Sequence, residues 1–181
     1  MKSLLFISVF ACCISCSDLH KSDQLSQLET MTKTLDSTLS VLSENKIEDL
    51  DNLVHTSQAL IGQVKEIQFD TIDLVFAITL DRYKRMTDDI LPAQTSYDEI
   101  EEQGQLEREV LTQLMDDIEH GSGKRNKYDE HIRFESEKIT QLKTAIDGYV
   151  DRKNKIVHAY EELHNMLSDS IAERNASGEV Q

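Results

Sequence analysis

Apolar residues recur at intervals of three and four positions along the first part of the chain, a pattern typical of a helix with one buried face. The series skips once, because Ile47 follows Leu42 by five positions. Such a skip either alters the helix winding locally or marks a break. We predict a mostly continuous helix over residues 22–68. The positions in the series are Leu25, Leu28, Thr32, Leu35, Leu39 and Leu42, then Ile47, Leu50, Val54, Ser57, Ile61 and Val64.

A second helix is predicted from its start signals. Asp70 is placed to cap this helix and Asp73 to occupy its third position, while Phe69 and Leu74 have the spacing of a hydrophobic staple. The segment 72–80 is apolar and leaves little polar face. We therefore predict that this segment is the most buried part of the chain.

Pro92 decides how the middle of the chain is arranged, because proline removes a backbone donor and clashes with the preceding turn. We predict one kinked helix over residues 71–120, ended by the glycine-rich stop at 121–123. The alternative is a reversal near Pro92, after which Ser96 and Glu99 form a capping box for a new helix.

The last helix, predicted over 127–174 with Asn126 as its cap, has the most regular repeat. Steps of three and four alternate, which implies left-handed supercoiling against partner helices. Three helical segments of roughly 70 Å each predict an all-α fold. We predict an elongated antiparallel three-helix bundle or coiled coil with a kink near Pro92, the alternative being a four-helix arrangement. The core positions of the last helix are Ile139, Leu142, Ile146, Tyr149, Lys153, Ile156, Tyr160, Leu163 and Leu167.

Composition supports long helices, since the chain has one Pro, six Gly and no Trp. With 34 acidic and 19 basic residues, the formal net charge is −15. This charge argues against electrostatic binding to nucleic acid or to an anionic membrane surface. We predict one helical domain over 22–174 and a disordered tail over 175–181.

The N-terminus predicts an export signal, because Lys2 precedes a short apolar run. A membrane span would need about 20 apolar residues. Cys13-Ile14-Ser15-Cys16 resembles the lipobox of bacterial lipoproteins, in which a cysteine thiol is lipidated and the chain is cut just before it. We predict a signal peptide over 1–15, lipidation of Cys16 and a tether over 16–21. The competing reading of the lipobox ends at Cys12. Cleavage before Cys16 would remove Cys12 and Cys13 with the signal peptide and leave one cysteine, which argues against a disulfide or a metal site.

The whole chain resembles a group of small helical lipoproteins from Bacteroidetes, often labelled "viral A-type inclusion protein". The resemblance rests on the lipobox and on the segments SDLHKSDQL, DTIDLVFA, YKRM, LTQLMDDIEHG, KITQLKTAIDGYV and AYEELH. It implies a lipid-anchored location in the cell envelope and carries no assigned activity. Ser17, directly after the lipidated cysteine, resembles the residue found at this position in lipoproteins that are sorted to the outer membrane.

Two helical pairs have the Glu/Asp-x-x-His spacing that ferritin-like di-iron bundles use, namely Glu161 with His164 and Asp117 with His120. Position 163 belongs to the core series, so Glu161 and Glu162 are predicted to face solvent, and a charged surface is the favoured interpretation. His55 and Ser57 lie two positions apart on different helix faces, which argues against a nucleophile and base. The basic cluster 124–127 is predicted to decorate a turn.

The sequence therefore predicts no catalytic residue, cofactor or metal. The favoured function is a lipid-anchored cell-envelope protein, at the outer membrane, with a non-enzymatic structural or interaction role. Its predicted partners are the membrane, through the N-terminal lipid, and an envelope protein, with no nucleic acid. The alternatives are an apolar-ligand module, suggested by segment 72–80 and by possible gaps at Gly62, Gly104 and Gly148, and a ferritin-like metal protein.

Overall fold

The computed structural model describes the backbone of residues 3–67 and 73–178, and the side chains of residues 20–67 and 73–176. It contains four α-helices, α1 (Ser3–Glu44), α2 (Leu50–Glu66), α3 (Leu74–His120) and α4 (Tyr128–Gly178), with a 3-10 turn at Arg125–Lys127. The described residues form no strand, so the all-α prediction is confirmed.

Several predictions made for the chain ends fall outside this description. The side chains of the predicted signal peptide 1–15 and the thiol of Cys16 lie outside the described residues, as does Asp70. At the C-terminus, α4 continues to Gly178, past the predicted start of the disordered tail at 175. The first glycine after residue 174 is Gly178 itself, so no helix-breaking residue comes earlier. Residues 179–181 of that tail also lie outside the description.

The first predicted helix is broken, so the prediction of a continuous helix over 22–68 is wrong. α1 ends at Glu44 and α2 begins at Leu50. Between them Asp49 adopts a left-handed backbone conformation with φ 50°, which an α-helix cannot contain. The skip in the apolar series therefore marks a break rather than a change in winding.

Burial of Ile47 explains this break. A continuous helix would rotate Ile47 about 140° away from the face of Leu42, whereas the interrupted chain places both side chains in buried positions. The Tyr149 hydroxyl donates a hydrogen bond of 3.0 Å to the Asn45 carbonyl, directly after α1. The Tyr149 side chain thus supplies a hydrogen-bond donor to a carbonyl at the end of α1, where no further helical turn supplies a backbone N–H.

Asp73 was predicted to be the third residue of this helix, but it is the cap of α3 instead. Its carboxylate accepts a hydrogen bond of 2.9 Å from the Val75 N–H, and its carbonyl accepts one of 3.0 Å from the Ala77 N–H. These two bonds are those of an N-cap residue.

Replacing Asp73 with Ala is expected to lower the free energy of unfolding by about 1 kcal/mol, because the N-terminal N–H groups of α3 lose their acceptor. Asp73→Asn keeps an acceptor at the same place and serves as the control. Urea unfolding of both variants measures the effect, and an Asn variant as unstable as the Ala variant would contradict the assignment of the cap.

The prediction that segment 72–80 is the most buried part of the chain is also wrong. Leu74 is 73% exposed and Val75 is 64% exposed, and Ile78 is exposed as well. Only Phe76 and Thr79 are buried in the described part of this segment. The first two turns of α3 meet the core on one narrow face, so apolar composition does not translate into burial here.

Pro92 lies inside α3, and the helix runs through it. The chain does not reverse there, and Ser96 and Glu99 are interior helical residues rather than the start of a new helix. Pro92 itself is exposed, while the next residue, Ala93, is fully buried. The proline therefore stands on the solvent side of α3, where its ring meets no core residue.

The predicted stop after α3 is confirmed. Gly121 has φ 65°, and its N–H donates to the Ile118 carbonyl at 3.3 Å, while the Ser122 N–H donates to the Asp117 carbonyl at 2.8 Å. This pair of bonds is the Schellman motif, in which glycine takes the left-handed position without a steric penalty.

The chain divides into two compact units, which are described separately. Unit 1 comprises Met1–Ser43 and Ile100–Ile146, and so contains parts of α1, α3 and α4. Arg108 pairs with Asp36 at 2.6 Å, and Tyr128 donates to the Asp117 carbonyl at 2.9 Å. Its core consists of Leu28, Leu35, Leu39, Leu42, Ile100, Leu111, Leu114, Ile118, Tyr128, Ile132, Ile139, Leu142 and Ile146.

Unit 2 comprises Glu44–Glu99 and Asp147–Gln181, and so contains α2 with parts of α3 and α4. An ion pair between Arg152 and Asp89 joins α4 to α3, and the rings of Tyr97 and Tyr149 meet edge to face at 5.5 Å. Its core consists of Ile47, Leu60, Val64, Phe76, Tyr83, Met86, Ile90, Ala93, Ile156, Leu163, Leu167 and Ile171.

Candidate functional site

Glu161 and His164, which have the di-iron spacing but were predicted to belong to a charged surface, do not form a ligand set. Glu161 is exposed. His164 accepts or donates a hydrogen bond of 2.7 Å through Nδ1 with the Tyr83 hydroxyl, and its ring stacks on Tyr160 at 4.6 Å. His164 therefore belongs to an aromatic cluster in unit 2.

Asp117 and His120, the second pair with this spacing, do not form a ligand set either. His120 is exposed and pairs with Asp116 at 3.1 Å instead of with Asp117. Within residues 20–67 and 73–176, no three His, Cys, Asp or Glu side chains come close enough together to hold a metal ion.

The remaining sequence candidates also separate. Ser57 is fully buried on the inner face of α2 whereas His55 is exposed, as expected of residues on different faces. In the basic cluster 124–127, Arg125 donates to the Gly121 carbonyl at 2.8 Å and Lys127 pairs with Glu130. These cations serve the end of α3 and the start of α4.

The aromatic cluster of unit 2 is closed and packed. Tyr83 is fully buried, and burial raises the pKa of its hydroxyl. The Tyr160 hydroxyl lies 3.3 Å from the Thr56 hydroxyl, which ties α4 to α2. We interpret this cluster as part of the core, because the Tyr83 hydroxyl is bonded to His164 and the Tyr160 hydroxyl to Thr56.

The unusual chemistry lies in unit 1, where two carboxyl groups are buried together. Glu107 of α3 is 7% exposed and Glu135 of α4 is 6% exposed. One ammonium group serves both, since Lys138 Nζ lies 3.2 Å from a Glu107 oxygen and 2.7 Å from a Glu135 oxygen. Glu107, Glu135 and Lys138 form a triad across the contact between α3 and α4, in which one ammonium group pairs with two carboxyl groups.

Burial and the neighbouring Glu135 carboxyl together raise the pKa of Glu107 to about 7, while Lys138 acts in the opposite direction. As a carboxylate, Glu107 has a buried oxygen, Oε1, that receives no hydrogen bond. As a carboxylic acid, Glu107 can donate its proton towards Glu135. The triad is then electrically neutral, with one acid, one carboxylate and one ammonium.

Sequence reasoning missed this triad, although a signal was present. Glu107 lies between the buried residues Ile100 and Leu111, at a step of four before Leu111. Glu135 similarly follows Ile132 by three and precedes Ile139 by four. A charged residue at a core position of an otherwise apolar repeat is the observation that could have identified the site.

A cavity of about 420 Å³ opens beside the triad, between α3 and α4 of unit 1. Glu107 and Lys138 line it together with Leu106 and Leu142, and Gln103, Gln141 and Ala145 complete its wall. We call this cavity and its rim the α3–α4 groove.

The groove is not one of the glycine gaps that the sequence suggested. A Cβ atom on Gly104 would clash with Leu39, so the space at Gly104 is filled. Gly62 and Gly148 have no neighbouring atoms within 4 Å of such a Cβ position, and Gly148 is exposed. The gap suggested at Gly104 is therefore filled, and segment 72–80 is largely exposed where it is described.

Comparison with known proteins adds no relative: no family model, no curated protein and no solved structure matches the chain. Among the described residues, no helix combines the length and the hydropathy that crossing a bilayer requires.

Proposed function

We propose that the protein is a lipid-anchored component of the bacterial cell envelope, at the outer membrane, with a non-enzymatic structural or interaction role. The observation that carries this proposal is the sequence Cys13-Ile14-Ser15-Cys16 directly after a charged residue and an apolar run. A cysteine thiol is the group to which the envelope lipid would be joined. The lipid would supply the contact with the membrane, and the helical domain would supply the contact with an envelope partner.

The arrangement of side chains supports a non-enzymatic role. The acids and histidines that the sequence placed at catalytic or metal-binding spacing are dispersed, as Glu161 is exposed and His164 is engaged by Tyr83. The net charge of −15 supports a partner other than nucleic acid.

We also propose the finer fold predicted from the sequence, an antiparallel three-helix bundle, with α1 and α2 together in place of the first predicted helix. In unit 1, Arg108 pairs with Asp36 and Lys21 donates to the Glu119 carbonyl, so α3 runs antiparallel to α1. In unit 2, the Arg152–Asp89 and Arg82–Glu162 pairs support an antiparallel course of α3 and α4.

Cys16→Ser is expected to abolish incorporation of a fatty-acid label and to leave a precursor that keeps residues 1–15. The thiol is the acceptor of the lipid, and serine is too weak a nucleophile to replace it. Metabolic labelling with an alkyne fatty acid, followed by intact-mass measurement, reads both changes.

Cys12→Ser and Cys13→Ser are the matched controls and should keep both the label and the cut. Loss of label in the Cys12 variant with retention in the Cys16 variant would move the lipid to the competing frame. Retention of label in all three single variants would remove the basis of the proposal.

A further inference from the structure

The α3–α4 groove of unit 1 presents apolar side chains that this unit leaves uncovered. Leu106 is 55% exposed, and Val110, one turn further along α3, is exposed as well. On α4, Phe134 is 54% exposed, and its ring centroid lies 5.0 Å from the ammonium of Lys138, which lines the groove. Exposed apolar side chains on two packed helices form the kind of surface that receives the apolar face of a third helix.

The groove also departs from the charge of the rest of the chain. The chain carries 34 acidic residues, yet the exposed polar residues that line this cavity, Gln103 and Gln141, are uncharged amides. Glu107 is the one carboxyl group among the lining residues, and it is buried. A partner that covers the groove would therefore meet apolar and amide surface at the rim, and the Glu107 carboxyl group with the Lys138 ammonium at the floor.

The floor of the groove carries one negative charge in excess whenever Glu107 is ionised. Two buried carboxyl groups share the Lys138 ammonium, and Glu107 Oε1 is buried without a hydrogen-bond donor when Glu107 is ionised. An unpaired buried charge is costly, and a second cation at this position would make the site neutral. Charge complementarity thus points to a basic side chain as the missing group.

We infer that the α3–α4 groove is the docking site for a helix of a partner protein that covers Leu106 and Phe134 and presents one Lys or Arg side chain to Glu107. This inference deepens the interaction role proposed above and rests on it. The apolar positions of that helix would supply buried area, and its basic residue would give specificity through the buried carboxyl group.

A second copy of this chain is a poorer occupant. A two-fold symmetric contact through the groove would place the surplus carboxyl groups of the two triads opposite each other. It would also bring together two chains that each carry a net charge of −15.

Docking by a cation should be coupled to loss of the Glu107 proton. The charged groups that face Glu107 are Glu135 and Lys138 of α4; on α1, Asp36 is engaged by Arg108, and Leu35 and Leu39 fill the core. Because burial raises the pKa of Glu107 to about 7, its ionised fraction rises from about one tenth at pH 6 to about nine tenths at pH 8. Affinity for a basic helix should then increase about tenfold over this range.

The test is selection of helical peptides by the purified full chain. A display library with randomised residues on one helix face is panned at pH 7.5 and moderate salt. We expect enriched peptides to carry one Lys or Arg within an apolar face. Glu107→Gln should weaken their binding at least tenfold, and Glu109→Gln, which removes the same charge from an exposed position of α3, should change it less than twofold.

Replacing the selected basic residue by norleucine should weaken binding to the native chain but not to the Glu107→Gln variant. Absence of enrichment, enrichment of peptides without a basic residue, or equal weakening by the Glu107 and Glu109 variants would each overturn the inference. Hexylamine that binds as tightly as the peptides would do so too, by making the groove a small-amine site. None of these outcomes depends on Cys16, so the lipid-labelling experiment stands or fails separately.

Discussion

Ile146→Ala is expected to lower the free energy of unfolding by about 2–4 kcal/mol. Ile146 is 1% exposed and lies in unit 1 on α4, where its side chain meets residues from the facing helices. Removal of its buried methyl and methylene groups loses their transfer free energy and leaves a cavity that a long helix cannot easily close. Leu142→Ala should have a similar effect, reduced because Leu142 also lines the α3–α4 groove. Urea unfolding followed by circular dichroism measures both.

Glu161→Ala is the matched control on the same helix. Glu161 is exposed, so its truncation should change the free energy of unfolding by less than about 0.5 kcal/mol. Equal destabilisation by the Glu161 and Ile146 variants would mean that the buried face of α4 has been wrongly assigned.

The second large effect is a dependence of stability on pH that Glu107 controls. Its pKa rises on folding from an ordinary value of 4.5 to about 7. A group whose pKa is raised in the folded state contributes stability that is fully present below pH 4.5 and is lost as the pH rises through 7. The shift corresponds to roughly 3 kcal/mol, and we expect about 1–2 kcal/mol because Glu107 lines an open cavity whose solvent weakens the effect of burial.

Glu107→Gln should remove this dependence. The amide stays neutral at every pH, so the variant should exceed the native chain in stability at pH 8 by about 1–2 kcal/mol and match it near pH 5. Urea unfolding of both proteins at these two pH values isolates the contribution from that of the other titrating groups. Glu109→Gln should leave the pH dependence unchanged, and parallel pH curves for the native chain and the Glu107 variant would refute this account of the triad.

Most of the buried face of the last helix was predictable because its repeat is long and regular, although Lys153 and Tyr160 of that repeat are only half-buried and the predicted cap Asn126 lies in the 3-10 turn before α4. Ile139, Leu142, Ile146, Tyr149 and Ile156 were predicted as core positions, and all are buried. Over so many turns, a single face accumulates enough apolar area that no other placement of the helix competes with it.

The position of the break between α1 and α2 could be located from the sequence, but the sequence could not show whether the helix breaks there or only changes its winding. The five-position interval before Ile47 is visible in the sequence, yet a change in winding and a break give the same interval. The structure favours a break because Tyr149, 104 positions away, supplies a donor to the Asn45 carbonyl. Such a distant partner cannot be read from the local pattern.

At the start of α3 and at the buried triad, residue type is a misleading guide to burial, in opposite directions. Leu74 and Val75 are apolar but exposed, since the end of a helix has few neighbours. Glu107 and Glu135 are acidic but buried, since Lys138 pairs with Glu135 on its own helix and with Glu107 across the contact between α3 and α4. In both cases burial is decided by what packs against the residue, which a single sequence shows only where the repeat is long.

The distribution of tyrosines has a consequence for optical measurements. The chain has no tryptophan and five tyrosines, of which Tyr83, Tyr97, Tyr149 and Tyr160 belong to unit 2 and Tyr128 to unit 1. Ultraviolet emission from the native protein therefore originates mainly in unit 2, where Tyr97 and Tyr149 are in ring contact. A tryptophan introduced at the exposed ring of Phe134 would give unit 1 its own red-shifted emission, at the rim of the α3–α4 groove.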